Sequence, residues 1–110
     1  MELLVIVCNE PERLNAIMEF LLEQGVPGGT VLHSEGMGQI ISQDAPLLAR
    51  FGHKLSSVKP HNRTIFSVLE SAEKAQAILK AMSADQSEAL NNEGIAFSVP
   101  LSGFVGLRSF

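Results

Sequence analysis

The stretch Gly28 to Gln39 reads G-G-T-V-L-H-S-E-G-M-G-Q, and its interpretation decides the fold. Thr30, Val31 and Leu32 favour extended chain, while Gly36 and Gly38 supply a backbone able to take positive φ and to let a ligand approach closely. The segment is therefore read as a strand running straight into a glycine-hinged turn. Such a turn suits a binding site, and a tight turn with no ligand is the alternative that the same residues allow.

Working outward toward the start, Leu3 to Cys8 is an unbroken apolar run of strand length, stopped by Asn9-Glu10-Pro11-Glu12. Asn9 is placed to cap a helix, with Pro11 in its first turn and Glu12 in the position of a capping-box acid. Leu14, Ile17, Met18, Leu21 and Leu22 then fall on one expected buried face, and Gly25 ends the helix.

Downstream, Ile40 to Asn62 reads as a long excursion from the core. Pro46, Leu47, Leu48, Phe51 and Leu55 would form about two helical turns within it. Excursions of this length are uncommon in compact domains unless they are functional or disordered. Arg63 to Leu69 is a third strand, and Ser71 caps a second helix that buries Ala72, Ala75, Ile78, Leu79 and Met82. Ala84 to Glu93 is a polar connector, Gly94 to Val99 a fourth strand, and Phe104, Val105 and Leu107 an apolar tail.

The order is strand, helix, strand, excursion, strand, helix, strand, spread over one domain of 110 residues. Right-handed crossovers then favour an α+β, ferredoxin-like βαββαβ sandwich, a four-stranded antiparallel sheet with two helices on one face and a long loop between strands 2 and 3. The other sheet face would be rich in Val, Ile and Phe. Covering that face and pairing the free strand edges predicts a closed ring of subunits.

Charge and composition narrow the functional classes. A net charge of −4 argues against a general nucleic-acid binder. Arg50, Lys54, Lys59 and Arg63 nevertheless cluster with His53 and His61 in a segment without acidic residues, which suits an anionic ligand or an acidic partner as well as a solvated loop. The single cysteine excludes an internal disulfide, and Cys8 reads as a small buried side chain. Met1 to Val7 shows neither a basic leader nor a membrane span, so no membrane insertion is expected and the cytoplasm is the default. His33, His53 and His61 lack metal-ligand spacing. Glu12, Glu19, Glu23 and Glu73 read as solvated helix faces, so no catalytic group stands out.

The order of elements and the quoted stretch together resemble the PII signal-transduction family and its PII-like relatives, over nearly the whole chain. G-G-T-V-L-H-S-E-G-M-G-Q is similar to the family's approach to its T-loop. N-R-T-I-F-S-V is similar to the strand after that loop, and G-I-A-F-S-V-P-L-S-G-F-V-G-L to the fourth strand and tail. The resemblance implies a homotrimer with a small effector, typically an adenine nucleotide, between subunits, and no other cofactor. Thr30 would lie near the adenine, Gly36, Met37, Gly38 and Gln39 at the loop base, and Arg108 near phosphates. The loop, through Leu47, Leu48, Arg50, Phe51 and Lys54, would contact a target protein or transporter.

Three departures shape that expectation. Gln39 stands where the family has an arginine after Gly-x-Gly, unless the register slides by one and it matches the glutamine that follows. S-E-A-L-N-N-E-G replaces the family's glycine-rich, lysine-bearing phosphate loop, and Glu88 and Glu93 would repel phosphates there. No tyrosine is present for uridylylation. The expected protein is thus a divergent, non-enzymatic PII-like sensor with a different or less charged effector. A CutA-type metal-binding protein using the loop histidines and an effector-free interaction module are the other two readings.

Overall fold

The computed structural model describes residues 1–51, 62–84, 90 and 94–106. Strands β1 (Glu2–Cys8), β2 (Thr30–Ser34), β3 (Asn62–Leu69) and β4 (Gly94–Pro100) form one sheet in the order β2-β3-β1-β4, every pair antiparallel. Helices α1 (Leu14–Glu23) and α4 (Ala72–Ser83) supply the covering layer. This is the ferredoxin-like arrangement expected from the order of elements. Two short helices, α2 (Met37–Ser42) and α3 (Ala45–Phe51), occupy the connection between β2 and β3.

The strands alternate as a half-covered sheet requires. Leu4, Ile6 and Cys8 of β1 and Ile65 and Leu69 of β3 join Ile17, Phe20, Leu21, Ala75, Ile78 and Met82 of the helices in one buried cluster. The other set faces away from the helices. Val5 stands between Phe66 and Phe97, Leu3 between Val68 and Val99, and Val7 between Thr64 and Ile95. Ile95, Phe97, Val99 and Leu32 remain exposed there. The bare face rich in Val, Ile and Phe is therefore present.

Helix α1 departs from the expected pattern at both its start and its face. Asn9 does not cap it; a 3-10 turn over Pro11–Arg13 comes first, and α1 begins only at Leu14 without a side-chain cap. Proline at the head of that turn fixes φ and holds Arg13 N–H on the Glu10 carbonyl at 2.9 Å. The side that meets the sheet also differs from the expected one. Phe20 is buried, whereas Met18 is exposed and Leu22 is 69% exposed. Gly25 ends the helix as expected, at φ +79°, the left-handed conformation that lacks a Cβ penalty only in glycine. Lys74 Nζ donates to the Gly25 carbonyl at 3.0 Å, tying the two covering elements together.

At α4 the expected cap is formed, with Ser71 Oγ accepting from Lys74 N–H at 3.1 Å. Ala75, Ile78 and Met82 are buried and Leu79 is half-buried, but Ala72, in the first turn, is exposed. Ahead of β2, the chain lies tightly on β3. Ser67 Oγ donates to the Gly28 carbonyl at 2.6 Å, and a Cβ on Gly29 would stand 2.8 Å from the Phe66 carbonyl oxygen.

Candidate functional site

The most polar packing in the sheet lies where β2 ends and β3 begins. Ser34 and Asn62 are register partners, and Ser34 Oγ donates to Asn62 Oδ1 while lying 2.8 Å from Thr64 Oγ1. Asn62 is buried. Antiparallel pairing sets these side chains together on the sheet face opposite the helices, closing the apolar patch with a short polar clasp. Asn62 therefore belongs to β3 rather than to the excursion, because Ser34 gives it a ladder partner.

The glycine segment stands directly on this clasp. Gly36 is extended at φ −82° and ψ 163°, and a Cβ there would lie 3.2 Å from Asn62 Nδ2. Its carbonyl accepts from Ile40 N–H at 3.2 Å, so it is the N-cap of α2, and Gly38 lies within the helix. The expected positive-φ turn is not formed. Among described residues, positive φ occurs at Gly25 and Gly106. Met37 to Ile41 completes a helical turn, and its backbone hydrogen bonds outweigh the entropic penalty of glycine.

A second local signal builds α3. Asp44 Oδ1 accepts from Leu47 N–H at 3.0 Å, and its carbonyl accepts from Leu48 N–H at 2.8 Å, a standard side-chain cap that the sequence reading passed over. Leu47 and Phe51 are half-buried one turn apart, while Leu48 and Arg50 are exposed, with the Arg50 guanidinium 5.1 Å from the Phe51 ring centre. No residue of α2 or α3 is buried. The two helices pack chiefly on each other and form a lobe standing off the sheet.

The candidate ligand residues thus fall into separate places. Gly36, Met37, Gly38 and Gln39 are contiguous at the root of the lobe. Thr30 lies on the open sheet face opposite Phe66, about 13 Å along β2 from Ser34. Arg108 and Lys54 lie outside the described residues, as do most of the S-E-A-L-N-N-E-G segment and the loop histidines His53 and His61. Among the described residues, no three His, Cys, Asp or Glu side chains gather as a metal site. No described helix is long and apolar enough to cross a membrane.

Cys8 is fully buried, and its thiol donates to the Glu10 carbonyl at 3.0 Å. Burial pushes the thiol above its ordinary range, further from the nucleophilic thiolate. Arg13 Nε meets Glu10 Oε2 at 3.2 Å beside it.

The clasp yields a direct test. Asn62→Ala is expected to cost about 1–2 kcal/mol, from a buried hydrogen bond lost and Ser34 left short of a partner. Because the clasp joins the strand ends that flank the connection, Ser34 of β2 and Asn62 of β3, tryptic cleavage after Arg50 should quicken several-fold at a temperature where the sheet stays folded. Equal cleavage rates in the two proteins would show that the clasp does not hold the lobe.

Two comparisons with known proteins bear on the chain. The family model described as nitrogen regulatory protein P-II matches residues 1–109. No curated protein matches it.

Proposed function

Because the chain belongs to the nitrogen regulatory protein P-II family, a family of signal-transduction regulators, we propose that it is a non-enzymatic sensor whose effector binds between subunits of a homotrimer and is reported by the lobe between β2 and β3. The observation that carries this reading is the lobe itself: α2 and α3 hold no buried residue and stand on a buried polar clasp at their root. An element with so little packing of its own can be repositioned by a ligand of modest differential affinity.

The effector class is an adenine nucleotide or a related small anion, held at the lobe root by Gly36, Met37, Gly38 and Gln39, with Thr30 and Arg108 as the further contacts that the family resemblance implies. Leu47, Leu48, Arg50, Phe51 and Lys54 face the target, a protein or transporter in the cytoplasm. Self-association is supported by the apolar open sheet face and by β2 and β4, each of which has a neighbour on one side only. Nucleic acid and membrane insertion play no part in this reading.

Thermal shift with ATP, ADP, AMP, cyclic dinucleotides, 2-oxoglutarate and bicarbonate tests it. A ligand at about 100 times its Kd adds about 2.7 kcal/mol to the folded state, a rise of several degrees in a domain of this size. Gly36→Val, whose side chain intrudes on Asn62, should abolish that rise and leave the oligomer intact. A flat response to every compound would sink the effector reading.

A further inference from the structure

His33 of β2 and Arg63 of β3 are register partners. Two positions along each strand, Val31 and Ile65 are partners as well; Ile65 is buried in the core and Val31 packs against it. Side chains two apart on a strand share a face, so His33 and Arg63 stand on the helix side, with Cβ atoms about 5 Å apart. The helices do not cover this corner. Cys8, the partner of Arg63 on its other side, is fully buried, whereas Arg63 is half-buried and His33 exposed. The pair thus lies at the β2 edge, on the opposite sheet face from the Ser34–Asn62–Thr64 clasp.

The charge at this corner is unbalanced. Arg63 Nη1 donates to the Asn62 carbonyl at 3.1 Å, and Asn62 is held in turn by Ser34. That bond anchors the guanidinium against the strand and leaves its other N–H donors without a protein acceptor among the described residues. Among those residues, no carboxylate stands within ion-pair distance of Arg63. Glu10, at the same end of the sheet, is engaged by Arg13 at 3.2 Å. Glu35, two positions beyond His33, is exposed and forms no ion pair with either residue. With the imidazole protonated, two cations stand directly opposite each other, which weakens a strand pair. A partly desolvated guanidinium, for its part, gains most from a fixed counter-charge.

We propose that His33 and Arg63 form a subsite for a small oxyanion, a phosphate or a carboxylate group. Arg63 offers the planar fork that matches two oxygens of such a group, and the His33 ring N–H supplies a further donor from the neighbouring strand. Strand pairing already fixes both backbones in register, so binding orders little more than two side chains. A chain of net charge −4 repels an extended polyanion, and the two residues therefore suit a compact one. The subsite lies away from the lobe root and does not depend on the effector reading.

Titration of inorganic phosphate into the isotope-labelled full chain, followed by nuclear magnetic resonance at an ionic strength held constant with chloride, tests it; acetate is the second arm. Saturating shifts should centre on the His33 and Arg63 amides and on the Arg63 Nε–H signal. Saturation by phosphate alone, by acetate alone or by both supports the subsite and identifies its oxyanion. Arg63→Gln should lower the affinity on the order of 10-fold, and Arg63→Lys, which keeps the charge without the fork, by less. His33→Glu sets a carboxylate opposite Arg63; it should abolish binding and raise the melting temperature through the new cross-strand pair. Shifts that never saturate, or that chloride alone reproduces, overturn the proposal. Undiminished binding in His33→Glu also overturns it, whether or not Arg63→Gln folds.

Discussion

Gly94→Ala is expected to lower the melting temperature by roughly 15 °C or more, or to prevent folding outright. A Cβ at this position would lie 2.0 Å from the Val7 carbonyl oxygen and 3.1 Å from Cys8 Cα. Both are backbone atoms of β1, which is fixed between β3 and β4, so neither can rotate aside as a side chain would. Relief requires opening the β1–β4 ladder at its Cys8–Gly94 end, with a loss of about 3 kcal/mol or more from broken pairing and disturbed packing. Thermal melts followed by circular dichroism measure it. A shift below about 2 °C would mean that the strands tolerate a wider separation there.

The second large effect separates the two faces of the sheet. Ile6 is 0% exposed and packed beneath both helices, and Ile6→Ala should cost about 2–5 kcal/mol. Ile95 is 58% exposed on the opposite face, so Ile95→Ala should cost under about 0.5 kcal/mol in the single chain. Urea titration at several protein concentrations compares the two. A cost for Ile95→Ala that grows with protein concentration is the mark of copies covering that face. Equal, concentration-independent costs would contradict the assignment of faces.

The strands were legible in the sequence because alternation and burial have the same period. The unbroken apolar run Leu3 to Cys8 marks a strand by its length and bounds, while which of its two alternating sets meets the helices, Leu4, Ile6 and Cys8, is set by the fold. The helix over residues 14–23 was harder. Apolar side chains at Leu14, Ala16, Ile17, Met18, Phe20, Leu21 and Leu22 surround most of its circumference. Periodicity alone then does not choose a face, and packing against the sheet, which takes in Ile17, Phe20 and Leu21, does. Phe20 was missed and Leu22 wrongly buried for that reason.

At the candidate site, the stretch from Thr30 to Ser34 and the cap at Ser71 were read correctly, while the glycines were taken for a turn that is in fact a helix start. A helix opened by Gly36 and interrupted by Gly38 breaks the usual propensity rules, and its hydrogen bonds to the following residues become visible only in three dimensions. The clasp was invisible for another reason. Ser34, Asn62 and Thr64 are ordinary short polar residues, brought together across 28 and 30 positions of chain by register alone. Gly94 was read simply as the first residue of a strand, since nothing in its neighbourhood announces that β1 comes so near. The family resemblance supplied what local rules did not, and the match over residues 1–109 now stands beside it.

The place of β1 between β3 and β4 also governs how the protein emerges from the ribosome. Strand β1 has both of its neighbours far downstream in the chain, beginning at Asn62 and at Gly94. At about 5–20 residues per second, the nascent chain carries the apolar run Leu3 to Cys8 without a lateral partner for several seconds. Native pairing of β1 then waits for β3 and β4 and is dominated by long-range closure, which slows folding and lengthens exposure to aggregation and chaperones.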